Sequence, residues 1–89
     1  MFFKSGCFWE ETDFYGGEQV AINSIASVRD CLKLCRELGT CFKFVYTNQN
    51  DPEVPGYCHL KTNQADPVDI RVRETAISGF LTDCENIVV

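Results

Sequence analysis

SVRDCLKLCRELGTC, residues 27–41, decides how this chain folds. Ser27 suits a helix N-cap, and Asp30 three positions on completes an S-x-x-D capping box. Gly39 falls where a helix end takes up the left-handed conformation. Between the caps, Cys31, Leu34, Cys35 and Leu38 recur at i, i+3, i+4 and i+7 and so define an apolar stripe. Arg29, Lys33, Arg36 and Glu37 fall on the opposite side. The spacing predicts one short amphipathic helix whose buried face is partly sulfur, with Cys41 just beyond its end.

A chain of 89 residues forms one small domain, near the size at which extra staples are common. Its six cysteines (7, 31, 35, 41, 58 and 84) fit a disulfide framework formed in an oxidising compartment, which predicts a secreted, extracellular protein. The opening residues MFFKSG are no signal peptide, because their apolar run is too short. The expectation is a module of a longer parent, with the secretion signal upstream. A net charge of −5 repels polyanions and argues against nucleic acid as a partner. No apolar run approaches the ~20 residues of a membrane span, so membrane insertion is not expected. No asparagine has a serine or threonine two positions on, so nothing asks for an N-glycan.

Outside the helix, the pattern is mainly of short strands. Residues 1–5 read as a loose lead-in, 6–10 as a first strand, and 13–17 as a glycine turn. Residues 19–22 form a second strand. Residues 42–47 (FKFVYT) are apolar at nearly every position, with Lys43 the exception, as suits a central strand covered on both sides. Residues 48–56, with two prolines and a glycine, are a surface loop, and 57–62 pair back antiparallel to 42–47. Residues 63–69 are a second polar loop. Residues 70–73 fit an edge strand with its arginines outward, 78–82 a last strand, and 85–89 a tail or linker to another module. The fold class is α+β, a single helix packed on a small, mainly antiparallel β-sheet and stapled by disulfides.

Geometry limits how the cysteines pair. Cys31 and Cys35 lie one helical turn apart with parallel Cβ vectors, so they do not bond each other. A bridge from Cys35 to Cys41 fits across the Gly39 corner. Cys31 then reaches Cys58 on the neighbouring strand, and Cys7 meets Cys84. The spacing resembles that of the PAN/apple domain family. The matching residues are Cys7, the Phe14…Gly16 turn, Cys31-x-x-x-Cys35, Cys41-x-x-Phe44, Cys58-x-Leu60-Lys61, Ser78-Gly79-Phe80 and Cys84. They span residues 6–84. The family's six-cysteine apple pattern pairs first with sixth, second with fifth and third with fourth, which agrees with the geometry. The resemblance implies an extracellular binding module that occurs in tandem or beside other domains. Its loops and acidic balance are more similar to apicomplexan microneme adhesins than to contact-system proteases. That implies protein or carbohydrate recognition in host-cell attachment, with a host-surface protein or glycan and the neighbouring modules as partners. The alternative is a docking or regulatory domain of a secreted serine protease zymogen.

Catalytic and metal chemistry find little support. His59 is the single histidine, with no positioned partner visible, and the cysteines are committed to disulfides. Cys31, Cys35, Cys41 and Cys58 lack the paired spacing of a zinc site, and Asp51, Glu53, Asp66 and Asp69 lack that of a calcium loop. The expectation is a non-enzyme without a cofactor, its acids in solvated loops. Arg29, Lys33 and Arg36 form a basic stripe on the outer helix face, a candidate for docking a sulfated glycan or acidic partner. Lys43 and Lys61, on adjacent predicted strands, form a second basic pair. Trp9 and Phe14 suit the core, with Tyr15 and Tyr57 as further aromatics able to stack on a sugar.

Overall fold

The computed structural model describes residues 3–17, 19–62 and 69–88. Its elements in chain order are β1 (Phe3–Ser5), β2 (Phe8–Tyr15), β3 (Gln19–Ile22), α1 (Val28–Leu38), β4 (Lys43–Thr47), β5 (Tyr57–Lys61) and β6 (Asp69–Phe80), followed by a 3₁₀ turn at Leu81–Cys84. The strands form a six-stranded sheet in the order β1-β2-β6-β4-β5-β3, with every pairing antiparallel. The predicted class is correct: one helix lies on an antiparallel sheet. The predicted loop at 63–69 falls outside the described residues except for Asp69, which begins β6.

The helix forms where its caps place it. The Ser27 hydroxyl accepts from the Asp30 amide at 3.2 Å, and Gly39 closes the end at φ 81°. The apolar stripe is rotated from the expected one. Cys31, Leu32 and Cys35 are buried, whereas Leu34 is only partly buried and Leu38 is exposed. Val28, Cys31, Leu32 and Cys35 have the same i, i+3, i+4, i+7 spacing, and the sheet selects that register.

Alternation in the central strands divides the molecule into two faces. Phe44 and Tyr46 of β4, with Cys58 and Leu60 of β5, join Cys31, Leu32 and Cys35 in the main core. Lys43, Val45 and Thr47 of β4, with His59 and Lys61 of β5, point the other way. On that second face Phe14, Val45 and Ala76 form a smaller core against Trp9 and Phe80.

Three disulfides, Cys7–Cys84, Cys31–Cys58 and Cys35–Cys41, staple the fold as expected, with Cα separations of 5.2, 5.3 and 5.2 Å. The two helix cysteines reach different places, one on β5 and one beyond the Gly39 corner. Removing either bridge would loosen a different edge of α1.

Several expectations on the strands are corrected. Phe3–Ser5 is not loose; it pairs with Phe8–Glu10 across a Gly6–Cys7 turn. Asp13 and Phe14 are strand residues, because their partners Arg71 and Ile70 hold them in the ladder. The predicted edge strand and last strand are one element, β6, which pairs with both β2 and β4 and so lies inside the sheet. Its register against β2 shifts between Glu10 and Thr12, where Glu11 takes φ 50°. Residues 73–76 of β6 bulge away from β2 at this point. The Ser78 hydroxyl spans the irregularity: it donates to the Thr12 carbonyl at 2.7 Å, and the Phe14 amide points to it at 3.4 Å.

Gly79 has a packing role. A Cβ there would lie 2.5 Å from Phe44 Cζ and 3.1 Å from the Cys7 carbonyl oxygen. Gly79→Ala is therefore expected to lose about 1–3 kcal/mol through overpacking. Urea unfolding measures it, and Phe44→Leu in the same chain should recover part of the loss. No change in midpoint would show that Phe44 is free to yield.

Candidate functional site

The face of the sheet away from α1 carries a cavity of about 490 Å³. Its floor is Val45, Thr47, His59 and Lys61, the polar-facing positions of β4 and β5. One wall comes from β2 and the following turn, through Asp13, Tyr15, Gly16 and Gly17, and continues to Gln19 of β3. The other wall is Glu53 and Val54 of the loop, with Arg73 of β6.

Asp51 holds that loop wall in place. Its carboxylate is fully buried and takes five hydrogen bonds. Arg73 donates Nε and Nη2 to it, both at 2.8 Å; the Thr75 hydroxyl donates at 2.6 Å; and the Glu53 and Val54 amides donate at 3.0 and 2.9 Å. The Arg73 guanidinium holds the carboxyl far below the usual carboxylate range, with the Thr75 hydroxyl and the two amides acting in the same direction against the cost of burial. Arg73 also meets Asp13 at 3.4 Å and Glu53 at 3.2 Å, so three acids surround it. Asp51 is thus no solvated loop residue. The bulge in β6 is what turns Arg73 inward; Arg71, two positions back, lies over the exposed Tyr15 ring at 3.6 Å and pairs with Asp69 at 2.8 Å.

The remaining floor is cationic. Lys61 is buried, donates to the Gln19 side-chain carbonyl at 2.6 Å, and lies directly opposite the buried Lys43 in the β4–β5 ladder. Burial pushes the Lys61 ammonium down, and neighbouring Lys43 adds to this against the attraction of Asp13. Burial likewise lowers His59, helped by Lys61, so the ring is neutral at neutral pH. Its Nε2 lies 3.4 Å from the Thr47 hydroxyl, which donates to the Val54 carbonyl at 2.6 Å, and its ring stacks on Tyr57. That hydroxyl is held by the loop backbone and is not poised for attack, and all six cysteines are bonded. Among the described residues no cluster of His, Cys, Asp and Glu is arranged to hold a metal ion.

The basic stripe lies across the sheet from this cavity, on α1. Arg29 donates to the Val88 carbonyl at 2.9 Å and lies 6.0 Å from the Phe8 ring centre. Arg36 donates to the carbonyls of Cys84 and Ile87. Two of the three cations therefore hold residues 84–88 against the helix, and Ile87 packs on the main core. Lys33 is exposed. The predicted aromatics separate: Phe14 is core, Trp9 is half-buried and packs edge-on against it, Tyr15 rims the cavity, and Tyr57 supports His59.

The pairing of Lys43 with Lys61 was visible in the sequence; Asp13, Gln19, Thr47 and Arg73 were not singled out. The available signal was alternation, since Lys43 and Thr47 of β4 and His59 and Lys61 of β5 share one face while Phe44, Tyr46, Cys58 and Leu60 take the other.

These features define a small disulfide-stapled domain, a helix on one sheet face and an open cavity on the other. The chain belongs to the PAN domain family, whose model matches residues 8–84. It is also similar to Microneme antigen L2 of Sarcocystis muris, 43% identical over 44 residues, which cover 49% of this chain and 28% of that protein.

Proposed function

We propose that this chain is a non-catalytic extracellular recognition module that binds a carbohydrate group in the cavity of its open sheet face. It works as one repeat of a multi-domain secreted adhesin in host-cell attachment. The cavity carries the reading: it has the volume of a small-ligand site, its polar groups converge, and rigid strands and a fully hydrogen-bonded loop anchor hold it. Three disulfides suit an oxidising compartment, and similarity to a microneme antigen supports secretion by that route. Tandem copies would raise a weak single-site affinity through effective concentration.

A glycan array probed with the disulfide-intact chain tests this. Gln19 is exposed on the edge strand β3 and lines the cavity, so Gln19→Trp should fill it and weaken glycan binding by about tenfold or more. Lys33→Glu, on the other side of the sheet, should leave binding unchanged. The reverse pattern would move the site to the helix stripe, and an array without glycan binding would end the carbohydrate reading.

A further inference from the structure

Resting on that reading, we infer that the cavity selects a saccharide bearing an anionic substituent, a carboxylate or a sulfate ester, seated at Lys61. The charges on this face are unevenly matched. At one end Arg73 is surrounded by Asp51, Asp13 and Glu53. At the other, among the described residues, Lys61 bonds a neutral amide oxygen, Gln19, and is in no ion pair, the attraction of Asp13 reaching it from beyond salt-bridge distance. An ammonium has three donors, and among the described residues one of them is taken. Lys43, also without an ion pair among the described residues, stands directly opposite it on the same face. Like charges in that position repel, more so when buried.

A ligand anion corrects this imbalance. It brings a counter-charge into direct contact, accepts from Lys61, and offsets the repulsion from Lys43. Burial lowers the affinity of Lys61 for its proton, the attraction of Asp13 opposes this, and Lys43 adds a smaller push in the same direction as burial. The acidic end suits the rest of a sugar. Asp13 and Glu53 can accept from ring hydroxyls while remaining on Arg73, and neutral His59 adds a hydrogen-bonding group on the floor between the ends. A neutral sugar could use those groups but would bring no charge to the two ammonium groups.

Titration calorimetry or amide-shift NMR of the intact chain can compare D-glucuronate and D-galacturonate with D-glucose and D-galactose, and with the 6-sulfates of both. The acids or the sulfates should bind about tenfold or more tightly than the neutral sugars, the gain of a charge-assisted hydrogen bond. Which of the two wins identifies the anion. The preference should fade as salt rises. Lys61→Met should abolish it, and Lys43→Met, outside the cavity lining, should reduce it. Both variants remove a buried charge, so folding should survive, and retained amide dispersion confirms that. Equal affinity for charged and neutral sugars overturns the inference and leaves carbohydrate recognition standing. Acetate or inorganic sulfate binding as tightly as the sugar acid overturns it as well, because the site would then hold an anion without reading the sugar. Failure of every sugar in solution and on the array removes both readings together.

Discussion

Asp51→Ala is expected to destabilise the fold by about 3–5 kcal/mol, the usual cost of breaking a buried ion pair by removing one partner. That is a large part of the ~5–15 kcal/mol that holds a domain together. The substitution leaves Arg73 without its bidentate partner, the Thr75 hydroxyl without its acceptor, and the Glu53 and Val54 amides unbonded. Asp51→Asn keeps the shape and loses the charge, so it should fall between alanine and the native residue. The pH dependence has a definite sign. A carboxyl held below its unfolded value contributes fully above about pH 4, the ordinary carboxylate range, and loses that contribution as pH falls further. The difference between native chain and Asp51→Asn in urea unfolding should be constant from about pH 5 to 8 and shrink in acid. A loss below about 1 kcal/mol for the alanine variant would show that the loop is anchored elsewhere. The same variant should impair glycan binding, because Glu53 and Val54 form the cavity wall.

Removing Cys7–Cys84 as a pair of alanines should cost about 4–5 kcal/mol by loop-closure entropy, whereas removing Cys35–Cys41 should cost about 2 kcal/mol less. The reason is length: the first bridge spans 77 residues and the last spans 6. Both pairs are buried and lose the same atoms, so cavity formation largely cancels in the comparison. Thermal and urea unfolding of the two variants gives the difference directly. Equal losses, or a larger loss at Cys35–Cys41, would mean that native packing at the helix corner outweighs chain entropy.

The sequence makes some parts of this architecture plain and hides others for identifiable reasons. Ser27 and Gly39 mark the ends of α1 because caps are local. β4 is legible because a strand buried along its whole length is apolar at nearly every position, and β5 because it pairs back across the proline-rich loop. The cysteine pairing follows from the helix geometry and from the family resemblance. The choice of Leu32 over Leu34 for burial is not local: both stripes pass through Cys31 and Cys35, and only the sheet decides between them. β6 looked like two strands because its bulge places Arg73, Glu74 and Thr75 in a run that breaks the apolar pattern. Asp51 looked like an ordinary loop acid because its partners Arg73 and Thr75 are more than twenty residues away. The cavity inherits both difficulties. Its floor comes from alternation in β4 and β5, but its walls depend on the bulge and on the anchored loop.

The Cys7–Cys84 bridge also has a mechanical meaning. It joins the chain just after β1 to the chain at the end of the 3₁₀ turn, so everything between them hangs as a closed loop. A pull on the two ends of the chain passes through one covalent bond and bypasses the sheet. Tension could peel β1 from β2 and lift residues 85–88 from Arg29 and Arg36, and it would stop there. The cavity, lined by residues inside the loop, carries no load. In a string of such domains stretched between two surfaces, each would keep its cavity in shape while the thread around it is drawn taut.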